Sequence, residues 1–149
     1  MKHLTLPLFA VLGLSFAPIG ANAAEPPQQK PGLWEITMQQ MADGKEAGKP
    51  ATMQRCVVAS DYAQSKAKAD DYTKKNCSKN EIRQEGGKWM SDMVCKVGTG
   101  TMTSHSVTAF SGDGAYHSEM TSTFDPPSAG HSRTITTSDG KWLGSCKPG

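Results

Sequence analysis

The sequence predicts a mainly β fold: a strongly curved or partly closed antiparallel sheet of about 7–8 short strands, with one short helix and two disulfides. Three observations predict it. Short runs rich in Val, Ile, Thr, Tyr and Trp alternate apolar with polar residues at period two, between turns that contain Gly and Asp. Only one segment has helical composition. Four cysteines, an even number, follow an export-type leader, and that pattern implies two disulfides.

The leader comes first. Lys2 and His3 precede the apolar run Leu4 to Phe16, and Ala21-Asn22-Ala23 has the small-x-small pattern of a cleavage site. The run is too short to span a bilayer comfortably. Residues 1–23 therefore read as a signal peptide cleaved after Ala23, and the mature chain as a periplasmic protein without a transmembrane segment. Cleavage leaves 126 of the 149 residues, about one domain's worth. It removes Lys2 and lowers the formal charge from +2 to +1, a near-neutral balance that argues against nucleic-acid binding. The middle of the chain is basic, but Asp70, Asp71, Glu81 and Glu85 are interleaved with its lysines, as on a solvated surface.

Residues 24–31, rich in Pro and Gln, read as a flexible linker, and residues 32–149 as a single disulfide-stapled domain. Trp34, Ile36 and Met38 alternate with Glu35, Thr37 and Gln39 as a half-buried strand. Asp43 to Pro50 reads as a loop. Thr52 to Val58 reads as a second strand antiparallel to the first, with Cys56 on the Ile36 side. Ser60 to Ala69 is the helix, with Ser60 as N-cap, Asp61 in the first turn, and Lys66 and Lys68 in the last. Its apolar face (Tyr62, Ala63, Ala67) is thin, so it should be short and peripheral.

A β-hairpin follows. Closing the loop Glu85-Gly86-Gly87 with Gln84 opposite Lys88 brings Cys77 opposite Cys95 and Arg83 opposite Trp89, a cation–π pair. This register selects a Cys77–Cys95 disulfide and leaves Cys56–Cys146 as the other. A second hairpin joins Thr101–Phe110 to Ala115–Phe124 around Ser111-Gly112-Asp113-Gly114, with Phe110 opposite Tyr116. Asp125-Pro126-Pro127-Ser128 breaks the chain. His131 to Thr137 is a strand, Ser138-Asp139-Gly140 a turn, and Lys141 to Leu143 a terminal strand stapled back by Cys146.

Two segments carry a resemblance. Lys30-Pro31-Gly32-Leu33-Trp34-Glu35-Ile36-Thr37 resembles the opening of the uncharacterised, exported bacterial "domain of unknown function 3617" family, and Trp142-Leu143-Gly144-Ser145-Cys146 matches its terminal W-L-G-x-C. A cysteine after the second strand and a cysteine–hairpin–cysteine unit complete a likeness over nearly all of residues 30–146. The family has no established activity, so the resemblance bears on fold and compartment alone.

For function the sequence offers an apolar strip. Met102, Phe110, Tyr116, Met120 and Phe124 share one face of the second hairpin, with serines between them, as a groove for a lipid-like or small amphipathic ligand would require. The alternative is a protein-interaction module, an envelope adaptor or inhibitor, that uses a sheet edge. In either case the expected unit is a monomer. No metal, cofactor or catalytic residue is expected. His105 and His117 lie about 13 Å apart by strand rise, too far to share a metal, and His105 has Glu119 as a diagonal neighbour. Met38-x-x-Met41 and Met90-x-x-Met93 would place their sulfurs on opposite strand faces rather than on one cuprous ion. The disulfides consume every thiol, and neither G-x-S-x-G nor H-E-x-x-H occurs.

Overall fold

A computed structural model describes residues 25–146; the expected signal peptide lies outside the described residues. The elements are β1 (Gly32–Ala42), β2 (Lys45–Glu46), β3 (Ala51–Val57), α1 (Ala59–Asn76), β4 (Cys77–Glu85), β5 (Lys88–Val97), β6 (Gly100–Ser111), β7 (Ala115–Ser128) and β8 (His131–Gly144). All eight strands belong to one antiparallel sheet in the order β2-β1-β8-β7-β6-β5-β4, with β3 also paired to β1. The sheet is open: β4 forms one end, and β2 with β3 forms the other.

Period-two alternation gives the sheet an apolar and a polar face. The apolar face carries Trp34 and Ile36 on β1, Tyr116 on β7, Phe110 on β6 and Trp89 on β5, aligned by the cross-strand registers. Trp34 is the largest buried side chain, 2% exposed. Its Nε1–H donates to the Lys30 carbonyl at 2.8 Å, and its ring lies 5.9 Å from that of Tyr116. Val57, Cys95, Ser104 and Ser122 are also buried. The helix packs chiefly beside β4 and β5, at one end of the sheet.

Both expected disulfides form, Cys56–Cys146 and Cys77–Cys95, closing loops of 90 and 18 residues. Chain entropy puts their contributions at about 4.5 and about 3 kcal/mol. Two disulfides fit an oxidising compartment. No helix among the described residues is long and apolar enough to cross a membrane.

Several local readings are corrected. The first hairpin turns on Gly86-Gly87, both with positive φ (56° and 77°), and pairs Glu85 with Lys88. This primed two-residue turn matches the strand twist better than a three-residue loop. Arg83 therefore opposes Met90 rather than Trp89, and pairs with Asp92 instead of stacking. A one-residue shift between Cys77 and Lys79 then restores Cys77 opposite Cys95. Cys56 opposes Leu33, placing it on the Leu33 side; Ile36 faces Met53. The expected loop after β1 contains β2, formed by a tight turn at Asp43-Gly44.

Helix α1 runs 18 residues, well past Ala69, and its N-cap is Val58 without a side-chain cap; Ser60 lies inside it. No Gly or Pro interrupts the segment, and Lys66–Asp70 and Asp71–Lys75 pairs, each at 2.8 Å, support its second half. The helix is peripheral, as its thin apolar face requires.

Ser138-Asp139-Gly140 is not a turn: β8 runs unbroken through it. Gly140 lies opposite Tyr116, whose ring occupies the space that a Cβ at residue 140 would fill. The glycine serves a close approach within a strand, not a reversal. Nor do Pro126 and Pro127 end β7, which continues to Ser128. They fall where the ladder to β8 slips between Thr123 and Ser128, so their missing N–H groups cost no bond there.

Candidate functional site

The second hairpin keeps the expected register, with Phe110 opposite Tyr116 and Met102 opposite Phe124. The five expected groove residues share a face but do not form one cavity. Phe110 and Tyr116 lie together, ring centroids 6.3 Å apart. Met102 and Phe124 sit at the other end of the strands, about 26 Å away by strand rise. Between them Ser104 and Ser122 are buried, and Met120 is 37% exposed. None of Met102, Met120 and Phe124 lines a described hollow.

Three of the hollows lie at the Phe110–Tyr116 end, on the apolar face beside α1. Three open depressions of about 490, 240 and 140 Å³ lie side by side. They share walls. Tyr62 borders the first and second, Ile82 the first and third, and Thr108 and Phe110 the second and third. Tyr116 and Trp89 complete the aromatic lining. What separates them is the segment before β1: Glu25 and Pro26 border the first, Pro27 and Gln29 the second, and Pro26 the third. The depressions are parts of one trough, crossed by residues 25–29.

This crossing segment is tied at both ends. At its C-terminal end, Lys30 pairs with Asp113 at 3.1 Å, and its Nζ lies 4.1 Å above the Trp142 ring. At its N-terminal end, Glu25 meets Lys66 of α1 at 3.4 Å. Sequence reasoning missed Tyr62, Lys66, Ile82 and Trp89 as wall residues, because no local signal shows which strand α1 packs beside.

The polar face has different chemistry. Each histidine among the described residues hydrogen-bonds an aspartate through Nδ1: His105 to Asp92 at 2.7 Å, His117 to Asp139 at 2.7 Å, and His131 to Asp43 at 3.0 Å. The partner of His105 is thus the directly opposed Asp92 on β5, not the diagonal Glu119. Arg83 also binds Asp92, and this guanidinium, ahead of the His105 ring, lowers the Asp92 carboxyl to about 2. Asp43 accepts from the Arg133 and Ser132 backbone N–H groups at 3.0 and 3.2 Å; these bonds, after that from His131, hold its carboxyl below the ordinary range. A shallow hollow of about 400 Å³ beside His117 and Asp139 also exposes Glu35, Thr37 and Lys141. Among the described residues no three His, Cys, Asp or Glu side chains are placed to hold a metal ion.

One open antiparallel sheet, two disulfides and, among the described residues, a single helix define a small disulfide-bonded, mainly β protein with an aromatic trough. Its family follows from the sequence match: the chain belongs to the family described as "Protein of unknown function (DUF3617)", whose pattern matches residues 29–146. No curated protein and no solved structure matches the chain significantly.

Proposed function

We propose that the protein is an exported binding module whose trough takes an apolar or amphipathic ligand. The observation that carries this reading is the aromatic lining: Tyr62, Trp89, Phe110 and Tyr116 border a space that, among the described residues, is crossed by residues 25–29, which have no regular secondary structure. A concave, mostly apolar site with a few polar groups is the usual form of a small-molecule site. The leader-like residues 1–23 and the paired cysteines support a periplasmic setting. Met102, Met120 and Phe124 continue the apolar strip beyond the trough and would meet only a long ligand.

A second reading, pairing with another protein through a sheet edge, has one observation in its favour. Edge strand β3 carries a single charge, Arg55, whereas the opposite edge, β4, carries Lys79, Glu81, Arg83 and Glu85. Charged residues guard an edge against pairing, and β3 has little such guard.

Native mass spectrometry of protein isolated without detergent, followed by organic extraction, tests the proposal. The expected result is extra mass that survives purification and extracts as an apolar or amphipathic molecule. A clean ligand-free mass, with in-cell crosslinks confined to Ala51–Val57, would overturn it in favour of edge pairing.

A further inference from the structure

Lys66 is the one cation among the described residues lining the trough. Its Nζ lies 3.4 Å from Glu25 and 2.8 Å from Asp70. Asp70 is its own helical neighbour four residues on; Glu25 is a visitor from the segment that crosses the trough. Directly after Glu25 come Pro26 and Pro27; Pro26 borders the same hollow as Ile82, Trp89 and Phe110, and Pro27 the same hollow as Phe110 and Tyr116. Read as a ligand, Glu25-Pro26-Pro27 is a carboxylate on a lysine followed by an apolar body on an aromatic floor.

We propose that this segment occupies, in cis, the place of the protein's ligand, and that the ligand is an amphipathic carboxylate of the fatty-acid type. Its carboxylate would replace that of Glu25 on Lys66, and its chain would replace the prolines along Ile82, Phe110 and Tyr116. The inference rests on the trough being a binding site, and adds the ligand class and the residue that selects it. Lys66 suits the role. An ammonium has three donors, so it can keep Asp70 and still serve an incoming carboxylate. Asp70, and after it Glu25, push the ammonium above its ordinary value, so both carboxylates favour its charged form. The Glu25–Lys66 pair is exposed, and such pairs are weak enough to exchange. A flexible alkyl chain can also follow the aromatic floor past the point where the prolines leave it.

Calorimetric titration of the exported, disulfide-bonded protein with dodecanoate and with dodecan-1-ol tests this. Dodecanoate should bind about twofold to fivefold more tightly than the alcohol, the range expected for one exposed ion pair. Glu25→Gln, which removes the competing carboxylate, should strengthen dodecanoate binding. Lys66→Met should erase the preference for dodecanoate over dodecan-1-ol. Circular dichroism serves as the folding control, because residue 66 sits on the exposed helix. Equal binding of acid and alcohol, unmoved by either substitution, would overturn the carboxylate assignment while the trough reading stands. Binding of neither, in wild type and Glu25→Gln alike, would overturn both.

Discussion

Two aromatic regions of this molecule use similar residues to opposite ends. One is the corner where the two ends of the domain meet. There Trp34 is 2% exposed, and the Trp142 indole donates to the Pro31 carbonyl at 3.1 Å. A Cβ at Gly32, whose φ is 140°, would overlap that indole, so this position accepts glycine alone. Cys56–Cys146 closes the same corner, since Cys56 lies opposite Leu33, itself opposite Gly144. The other region is the trough. Its Ile82 is 40% exposed, its helix is exposed along most of its length, and a segment without regular structure crosses it. Tyr116 joins the two, with one ring neighbour in each: Trp34 and Phe110.

The difference shows what the recognisable sequence encodes. The motifs that carry the family resemblance, around Trp34 and around Trp142, are neighbours in space and interlock with each other. They build the closing corner of the fold. The trough draws its walls from α1, β6 and β7 and from the cysteine–hairpin–cysteine unit β4–β5, away from those two motifs. Sites that exchange ligands belong in the less tightly packed part of a domain, and the trough lies there.

The sharpest way to break this comparison is to truncate one residue of each region. Trp34→Ala should cost about 3–5 kcal/mol, the range for a fully buried aromatic. Ile82→Ala should cost under about 1.5 kcal/mol, because the side chain is already partly in water. Urea denaturation of both variants measures the contrast, and equal losses would erase it.

A smaller effect belongs to the polar face, which should report neither corner nor trough. The Asp92 carboxyl, lowered to about 2 chiefly by Arg83, contributes stability that is fully present above its unfolded value, about 3.9, and is lost as pH falls through the folded one. Asp92→Asn should therefore be less stable than wild type at neutral pH, and the gap should close between about pH 4 and pH 2. A gap that stays constant across that acid range in urea midpoints would remove the Arg83–Asp92–His105 cluster from the account.

Much of the fold was legible because hairpins are local. The β6–β7 register followed from one turn and the alternation of its flanks, and every expected pair forms. The Cys77–Cys95 bridge was reached through a loop one residue too long, and a compensating slip near Ser78 kept it correct. Long-range packing was what stayed hidden. Gly140 reads locally as a turn residue; only the ring of Tyr116 explains a glycine in mid-strand. With β8 split there, Asp139 was never aligned with His117. Aligning β5 with β6 by the same hairpin logic would have exposed the Asp92–His105 pair. The apolar strip was seen as a face, but which end of it was hollow depended on where α1 and residues 25–29 lie, and no periodicity records that.

The measurement closest to the central claim is amide hydrogen exchange of the disulfide-bonded protein with and without dodecanoate. The account predicts slower exchange around Tyr62, Ile82 and Phe110–Ser118, and no change at Leu33–Ile36 or Gly140–Gly144. Protection gained at the corner, with the trough unchanged, would contradict it.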